Sequence, residues 1–141
     1  MAAFKVRLIL EEQGKVLLLK QTVQNGGKYT LIGGTVERGE HALEAIIREC
    51  SEESGIRIFK TDLTLVHTLH KIKDGDHRVV LYFKAKRWTG VLESREPKKF
   101  KKLSWEPIDA LPNNISPTIK QVLLKYRGGI NYSEIKNEAW K

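Results

Sequence analysis

Three glutamates, Glu49, Glu52 and Glu53, have the residue type and spacing of a metal-binding carboxylate cluster. On a helix, residues three and four positions apart lie on one face, so these side chains would project together. Carboxylates held this close repel one another, and a bound divalent cation removes that repulsion. Oxygen ligands without nearby His or Cys favour Mg²⁺, with Mn²⁺ as the alternative, over Zn²⁺. The same spacing also fits an acidic helix face that is only solvated.

A helix from about Ala42 to Ser54 would carry this cluster. Apolar residues recur at helical spacing along it, at Ala42, Leu43, Ile46, Ile47 and Cys50. Gly55 is suited to end the helix, because glycine readily adopts the left-handed backbone conformation. The apolar residues centre about a third of a turn away from the glutamates. The pattern therefore predicts one side packed on a sheet and an adjacent edge of carboxylates, where Arg48 can pair with a neighbouring glutamate.

The remaining segments are predicted to be the strands and loops that hold this helix. Strands are predicted at 4–12, 15–22, 29–32, 57–73, 77–88 and 100–106, and a second helix at 118–126. The 15–22 segment is centred on a continuous apolar run, which predicts burial on both faces. Asp74-Gly75 predicts a hairpin turn between the two longest strands. This order of elements predicts a mixed α+β domain over residues 1–127.

Residues 128–141 form a polar tail that begins at Gly128-Gly129 and contains Tyr132 and Trp140. Three arrangements of the tail fit its composition: it docks on the domain, pairs with a second copy in a homodimer, or frays. The sequence favours none of them.

Composition restricts the class of protein. At 141 residues with 40% hydrophobic and 30% charged residues, the chain has the balance of a globular domain. Its apolar runs fall short of the roughly 18 residues of a membrane span, and its start lacks signal-peptide regions. The single cysteine, Cys50, permits no internal disulfide, so we expect a cytoplasmic protein. The formal net charge of +8 fits either a solvated lysine-rich surface or attraction to nucleotides or RNA.

The spacing of the glycine-bracketed segment from Gly34 to Ile56 is more specific than the cluster alone. It consists of a glycine, five residues, Glu40, seven residues, Arg-Glu, two residues, Glu-Glu, one residue, glycine and an aliphatic residue. This resembles the Nudix box at every specified position, with Cys50 in a slot that is usually aliphatic. The chain is similar to small MutT-type Nudix domains over roughly residues 4–127. The resemblance implies an α/β/α sandwich around a mixed β-sheet, with the box forming a loop–helix–loop.

The resemblance also implies an activity, the hydrolysis of a nucleoside diphosphate linked to another moiety by water and divalent metal ions. Glu49 and Glu53 match the family's principal metal ligands, and Glu52 matches a further ligand. One of these three, or Glu40, orients or deprotonates the attacking water. Arg48 matches the arginine that holds the glutamates in place.

Candidates outside these positions are single residues that the resemblance suggests. The carbonyl of Gly33 or Gly34 is an additional candidate metal ligand or substrate contact. Glu96 matches a loop glutamate that some MutT-like enzymes bring to the metals. Lys20 corresponds to a basic phosphate contact, and Asn114 lies near the base-contacting region of MutT-like domains. Each has an ordinary alternative as a solvated charge or a turn residue.

Two further basic residues, Arg78 and His70, are candidates for the same pocket, with solvent-facing positions as the alternative. The aromatic residues Phe83, Trp88 and Trp105 are interpreted as core or rim residues and not as a stacking platform for a base. Ile32 stands where relatives commonly carry proline, so the loop geometry is expected to differ slightly.

Substrate markers of several Nudix subfamilies are absent from the sequence. No proline lies near Lys71, as ADP-ribose hydrolases tend to have, and no tyrosine near Lys73, as dinucleoside-polyphosphate hydrolases tend to have. By exclusion the resemblance favours (d)NTPs, ordinary or oxidised, cleaved to NMP and pyrophosphate. ADP-ribose, dinucleoside polyphosphates and RNA 5′ ends stay open as alternatives, with nucleic acid less favoured. A non-catalytic nucleotide-binding module is the last alternative, although such modules usually lose box glutamates and none is lost here.

Overall fold

The computed structural model describes residues 2–136, in which two α-helices and nine strands follow one another along the chain. The elements are β1 Ala2–Ile9, β2 Glu11–Glu12, β3 Lys15–Gln21, β4 Tyr29–Thr30, β5 Ile32–Thr35, α1 Ala42–Ser54, β6 Leu63–Lys73, β7 Asp76–Ala85, β8 Phe100–Pro107, α2 Pro117–Arg127 and β9 Tyr132–Lys136. Short 3-10 turns occupy Val23–Asn25 and Lys60–Asp62. Neither α-helix is long and apolar enough to cross a membrane.

The strands form two sheets. The larger has the order β5-β1-β7-β6-β9 and is mixed, with β1–β7 and β6–β9 parallel and β1–β5 and β6–β7 antiparallel. The smaller is antiparallel and is built around β3, which pairs with β8 on one side and with β2 and β4 on the other. β1 therefore lies inside the large sheet, beside the edge strand β5.

The two helices cover opposite faces of the large sheet. Along β1, Val6 and Leu8 pack with Ile46 of α1, whereas Ile9 packs with Val122 of α2. Because successive strand residues point to opposite faces, this alternation requires one helix on each side. The predicted α/β/α sandwich is thus confirmed, and β3 is buried on both faces as predicted.

Both helices and the central hairpin lie where the sequence pattern places them. α1 ends at Gly55, whose φ of 77° lies in the left-handed region that favours glycine. α2 begins with Pro117 at its first position. Asp74 and Gly75, with φ of 51° and 84°, close the β6–β7 hairpin in the manner expected of Asp-Gly.

Four predicted strands are wrong in extent. The predicted strand 29–32 is divided at Leu31 and continues through the double glycine to Thr35, and the strand predicted to end at residue 88 ends at Ala85. The segment 4–12 breaks into β1 and β2 around Leu10, and the long strand predicted from residue 57 begins only at Leu63. The Asp62 carboxylate accepts a hydrogen bond from the Phe59 amide at 3.2 Å and closes a turn there. Such side-chain bonding to nearby backbone competes with strand pairing. Arg57 keeps only an isolated bridge to Thr89.

β9 adds a strand that the sequence analysis does not predict. It pairs in parallel with residues 68–72 of β6 at the far edge of the large sheet. Fully buried His67 lies beneath it, with Nδ1 2.8 Å from the Ile130 carbonyl oxygen and Nε2 2.8 Å from Ser133 Oγ. Trp140 of the polar tail lies outside the described residues.

Candidate functional site

The clustered glutamates Glu49, Glu52 and Glu53 do not share one environment, although they share one side of α1. Ala45, Ile46 and Cys50 are fully buried against the sheet. Next to them, Glu49 is 8% exposed and Glu53 is 1% exposed, whereas Glu52 is an exposed residue. Two carboxylates are therefore desolvated, which is costly unless a cation or hydrogen-bond donors compensate.

The double glycine of β5 makes room for this buried pair. The Gly33 amide donates a hydrogen bond of 2.9 Å to Glu53 Oε1. A β-carbon at Gly33 would overlap the Val6 carbonyl oxygen, and one at Gly34 would overlap Glu49 Oε2. Glu49 can thus occupy its place only because Gly34 has no side chain, whereas Gly33 contributes its amide to Glu53.

Arg48 joins the helix to the preceding loop. Its guanidinium bonds Glu40 through two nitrogens, at 2.8 Å and 3.1 Å, and bonds Glu49 Oε1 at 2.8 Å. It also donates to the Thr35 carbonyl at 3.2 Å and lies 3.3 Å from the nearer oxygen of Glu52. The planar fork of arginine suits such two-point contacts, so Arg48 fixes the rotamers of Glu40 and Glu49 together.

Burial shifts the protonation of the inner carboxylates. It raises the pKa of Glu53 to about 7, opposed by the Gly33 amide and by the positive charges of Lys99 and Arg7. Burial also raises the pKa of Glu49, against the pull of Arg48. The hydrogen bonds of Arg48 act in the other direction on Glu40, whose pKa lies below its ordinary value. The site therefore holds two carboxyls, Glu49 and Glu53, whose charged form a bound cation would favour.

The donor set fits a hard divalent cation with incomplete protein coordination. Among the described residues, no three His, Cys, Asp or Glu side chains form a ready-made cage. Glu49 and Glu53 supply hard oxygen donors beside the backbone of Gly33 and Gly34. Mg²⁺ keeps several waters and shares substrate phosphates, so two carboxylates suffice to hold it.

These carboxylates form one wall of a cleft of about 320 Å³ whose other side is positively charged. We call Glu49 and Glu53 the acidic wall, and Lys5, Arg7 and Lys99 the basic wall. Lys99 Nζ lies 3.6 Å from Glu53 Oε2, so the two walls touch at that point. A cleft lined by both charges can hold a cation and an anion side by side.

The sequence analysis missed all three residues of the basic wall. Lys5 and Arg7 alternate with the core residues Val6 and Leu8, which is a detectable sign of a charged face on a central strand. Nothing local marks Lys99. It is placed by a tight turn in which the Glu96 carbonyl accepts the amides of Lys99 and Phe100, at 2.9 Å and 2.8 Å.

Comparison with known proteins gives the family. A model of the NUDIX domain matches residues 1–126. The chain belongs to the Nudix hydrolase family.

The relatives of this Nudix hydrolase differ in the share of their own length that aligns with the chain. It is 38% identical over 111 residues to the uncharacterized Nudix hydrolase YvcI of Bacillus subtilis, with 74% of this chain and 66% of that protein aligned. It is 31% identical over 97 residues to the NAD-capped RNA hydrolase NudC of Photorhabdus laumondii, which covers 69% of this chain and 36% of that protein. The chain thus spans less than two thirds of either relative. The crystal structure of a MutT NUDIX hydrolase from Burkholderia pseudomallei superposes with a TM-score of 0.78 at 26% identity, covering 88% of this chain and 97% of that one.

Two residues expected at the substrate lie together but outside the cleft of this Nudix domain. Lys20 Nζ donates to the Gly27 carbonyl at 2.8 Å and stands 4.8 Å from the ring centre of Tyr29. Asn114 Nδ2 donates to the same carbonyl at 3.2 Å. Gln21, the residue after Lys20, lines the cleft instead. The structure therefore places Lys20 and Asn114 around the Gly26-Gly27 loop.

The loop that contains Glu96 runs beside the end of α1. The Arg95 amide donates to the Glu53 carbonyl at 3.1 Å, and half-buried Glu96 follows it. Within the described part of the chain, the contacts of Glu96 are those of its backbone with the turn to Phe100. The loop is therefore tied to α1 through the Arg95 amide, and Glu96 is not among the described residues that line the cleft.

Arg78 and His70 cannot line one pocket, contrary to the expectation. Arg78 is paired with Lys71, and His70 with Val79, so strand alternation puts Arg78 and His70 on opposite faces. His70 stacks on His77, with 2.8 Å between Nε2 of the first and Nδ1 of the second. Arg78 shares the face of Lys5 and Arg7. Phe83, Trp88 and Trp105 belong to the core on the α1 side, as predicted.

Proposed function

We propose that this Nudix hydrolase uses Mg²⁺, or Mn²⁺ in its place, to cleave the pyrophosphate bond of nucleoside diphosphate-linked compounds. Within that group we propose (d)NTPs, oxidised forms included, as substrates that yield NMP and pyrophosphate. One observation carries the proposal: the buried pair Glu49 and Glu53 faces Lys5, Arg7 and Lys99 across a single cleft. Phosphoryl transfer requires mainly positioning and charge neutralisation, and the two walls supply both kinds of charge.

In this proposal the α1 glutamates and the double glycine hold the metal ions. Glu49 and Glu53 are the principal ligands, with Glu52 and a carbonyl of Gly33 or Gly34 as further ones. A bound divalent ion lowers the pKa of a coordinated water and neutralises charge on the phosphates. The chain's own task is to aim both carboxylates and to shield them from bulk water, and a bound metal ion would favour their charged form.

The proton acceptor is proposed to be one of Glu49, Glu52 and Glu53. Arg48 bonds both oxygens of Glu40 and lowers its pKa, so Glu40 is a weak base and is held in one orientation. Glu40 is then a positioning residue that fixes Arg48, and Arg48 in turn fixes Glu49. Glu96 stays a candidate metal ligand only if its loop turns the carboxylate toward α1.

A nucleotide panel with Mg²⁺, read out as phosphate against pyrophosphate release, tests the proposal. The panel includes (d)NTPs, oxidised dGTP, ADP-ribose and dinucleoside polyphosphates. We expect pyrophosphate release from triphosphates and a loss of at least about a hundredfold in Glu53→Gln, because a metal ligand is lost. Glu44→Gln is the matched control, since Glu44 is an exposed glutamate of the same helix that bonds His41.

Two outcomes decide between the alternatives. If the wild type turns over no nucleotide with Mg²⁺ and Glu53→Gln binds nucleotides equally well, the chain is a binding module and the proposal is wrong. Turnover of ADP-ribose or dinucleoside polyphosphates alone would show that the proposed (d)NTP substrates are wrong, and the proposed pyrophosphate cleavage would stand.

RNA 5′ ends are the second candidate substrate. The relative NudC is named an NAD-capped RNA hydrolase, and the net charge of +8 favours polyanions. Because the chain spans 36% of NudC, the likeness covers one part of that protein. RNA binding that weakens steeply with salt, together with release of a 5′-terminal nucleotide, would favour this candidate.

A further inference from the structure

The outer end of the β6–β7 hairpin brings two imidazole rings together on the α1 side of the large sheet. His70 is paired with Val79, and His77 lies two residues before Val79, so both rings leave the same face. Leu81, on that face of β7, packs against the core beneath α1. His70 is half-buried and His77 is exposed. The pair therefore lies at the surface, on the face opposite to Lys5.

The two rings face each other through nitrogen atoms. Nε2 of His70 lies 2.8 Å from Nδ1 of His77, and the ring planes are inclined by 21° with 5.0 Å between their centres. One of these nitrogens donates and the other accepts, because a neutral imidazole carries a single ring proton. The bond is not needed to close the hairpin, since the Asp74-Gly75 turn and the pairing of β6 with β7 already do so.

The separation of these nitrogens is close to that of two ligands on one metal ion. Zn²⁺ binds histidine nitrogen at about 2.0–2.1 Å, so two nitrogens of a tetrahedral site lie about 3.3 Å apart. A small rotation of either ring would open the 2.8 Å contact between His70 and His77 to that distance. One ring must also change its tautomer, so that both facing nitrogens present a lone pair to the metal.

Glu134 of β9 is the neighbour that can complete the ligand set. It is paired with His70 in the parallel ladder, so the two side chains lie next to each other on one face, on strands about 4.8 Å apart. Its Oε2 accepts a hydrogen bond of 2.5 Å from the Tyr132 hydroxyl. Among the described residues, no three histidine, cysteine or carboxylate side chains already surround one point. Glu134 would therefore become a ligand by turning from Tyr132 toward His70.

This ligand set favours a different metal from the one that fits the acidic wall. Imidazole nitrogen suits Zn²⁺ and its transition-metal neighbours, whereas carboxylate and carbonyl oxygens suit Mg²⁺ and Mn²⁺. Two histidines and one glutamate are a known ligand set for Zn²⁺, with the fourth position left to water or another small ligand. The chain therefore separates nitrogen donors at the hairpin from oxygen donors at the cleft.

We propose that His70 and His77 form a Zn²⁺ site at the end of the β6–β7 hairpin, with Glu134 as the third ligand. The site is separate from the acidic wall and does not depend on the proposed hydrolysis. The bound ion links three neighbouring strands, β7, β6 and β9, through side chains in addition to their backbone hydrogen bonds. Because β9 is an edge strand, paired with β6 alone, Zn²⁺ would strengthen its attachment to the sheet.

The other two histidines of the chain lack this arrangement and serve as controls. His67 is fully buried and uses both ring nitrogens, one on the Ile130 carbonyl and one on the Ser133 hydroxyl. His41 is exposed, and its Nδ1 lies 3.0 Å from Glu44 Oε1. His41 thus has a carboxylate beside it, as His70 does, but no second imidazole facing it among the described residues.

Calorimetric titration of the whole chain with Zn²⁺ in excess Mg²⁺ tests the site, since Mg²⁺ competes for the oxygen donors. We expect one Zn²⁺ per chain and at least about a tenfold loss of affinity in His70→Gln and in His77→Gln, because even the loss of a residue that supports a ligand costs that much. Glu134→Gln should weaken binding less than either, since Glu134 must first leave Tyr132. His41→Gln, the matched control, should change the affinity less than twofold.

Several results would overturn the site. Wild-type affinity in both hairpin variants would do so, as would an equal loss in His41→Gln. A loss of Zn²⁺ affinity in Glu53→Gln alone would place the ion at the acidic wall instead. One Zn²⁺ shared by two chains, seen as a doubled mass in light scattering, would refute a site formed within one chain. Nitrogen-15 NMR of the histidine rings gives an independent check, because only the signals of His70 and His77 should shift with Zn²⁺.

Amide hydrogen exchange tests the attachment of β9 and the part assigned to Glu134. Zn²⁺ should slow exchange severalfold in residues 132–136 of the wild type, because the ion joins this edge strand to β6 and β7. It should leave the exchange of the same residues unchanged in Glu134→Gln and in His70→Gln. Equal slowing in Glu134→Gln and the wild type would overturn the three-ligand site.

Discussion

The acidic wall and the basic wall of the cleft are held in place by different means. Glu49 and Glu53 come from one helix and are aimed by hydrogen bonds from Arg48 and the Gly33 amide. Lys5 and Arg7 are aimed by strand alternation, with one further bond from Arg7 to the Leu31 carbonyl. The effect of a substitution at the acidic wall should therefore depend on how far it displaces individual atoms. The effect of a substitution at the basic wall should depend on whether it removes a charge.

Each wall is unfavourable alone and partly compensated by the other. Burial raises the pKa of Glu53 and lowers that of Lys5, so each charge is disfavoured by desolvation. Lys99 and Arg7 counteract the shift of Glu53, and Glu49 counteracts that of Lys5. The charges of each wall thus stabilise the charged form of the groups on the other wall. In the proposed function, a metal ion at the acidic wall and a phosphate at the basic wall would take over that stabilisation.

Gly34→Ala should give the largest effect, because it tests whether the acidic wall depends on atomic position. The added β-carbon would overlap Glu49 Oε2, so the carboxylate must move. A displacement of about 1 Å in a catalytic group can cost a hundredfold, and we expect kcat/KM with Mg²⁺ to fall at least that far. The control is Gly128→Ala, where a β-carbon makes only ordinary contacts. Activity within about threefold of wild type would contradict the packing argument.

Glu53 should make the stability of the metal-free protein depend on pH in an unusual direction. Its folded pKa of about 7 lies above the ordinary 4.5, so the folded state binds more protons than the unfolded state between these values. The free energy of unfolding should therefore fall as pH rises from about 4.5 to 7, by at most about 3 kcal/mol.

Glu53→Gln removes that dependence and still offers the Gly33 amide an acceptor. In EDTA, urea unfolding should show the variant more stable than the wild type at pH 7.5 and nearly equal to it at pH 4.5. Added Mg²⁺ should stabilise the wild type and not the variant. A wild type whose stability rises between pH 5 and 7 relative to Glu53→Gln would show that the carboxyl is ionised without metal.

The sequence predicts the acidic wall far better than the basic wall, for a physical reason. The helix carrying Glu49 and Glu53 has a local pattern, and its period and its terminal Gly55 are both contained in one segment. The burial of the two carboxylates is not local, because it depends on the packing of Gly33 and Gly34 beside them.

The basic wall brings together residues that are far apart in the chain. Lys5 and Lys99 approach one cleft through different sheets and a loop turn, and no spacing rule links them. Lys20, a strand-end lysine that donates to the Gly27 carbonyl and is not among the described residues lining the cleft, stays only a predicted substrate contact. β9 could not be predicted for the same reason. Its residues 132–136 are mostly polar, and the strand is held by distant contacts, namely its pairing with β6 and the hydrogen bond between buried His67 and Ser133.

Arg48→Lys separates geometry from charge within the acidic wall. Lysine keeps the positive charge but cannot make the two-point contact with Glu40 and bond Glu49 as well. We expect kcat/KM to fall about ten- to thirtyfold while the unfolding midpoint changes little. Arg38→Lys, at an exposed arginine in the loop that precedes α1, is the control and should be neutral. Full activity in Arg48→Lys would mean that charge alone orients Glu49.

Lys99→Gln should give the smallest effect and tests whether the basic wall tunes the acidic one. Lys99 Nζ lies 3.6 Å from Glu53 Oε2, but its side chain is half-exposed, so solvent and salt screen the pair. We expect kcat/KM to fall about two- to threefold at low salt. The fall should be smaller at about 0.5 M salt, because salt screens an exposed ion pair. Because Lys99 lowers the pKa of Glu53, its removal should also move the stability change of the metal-free protein to higher pH.

Lys98→Gln is the matched control for this comparison, since it removes an equal charge from the adjacent exposed position. If both variants shift the pH dependence equally, the effect comes from net charge and not from the 3.6 Å contact. If only Lys99→Gln shifts it, the two walls are coupled through one ion pair. A metal ion that neutralises Glu53 would then release Lys99 toward the phosphates, so that metal and substrate would strengthen each other's binding.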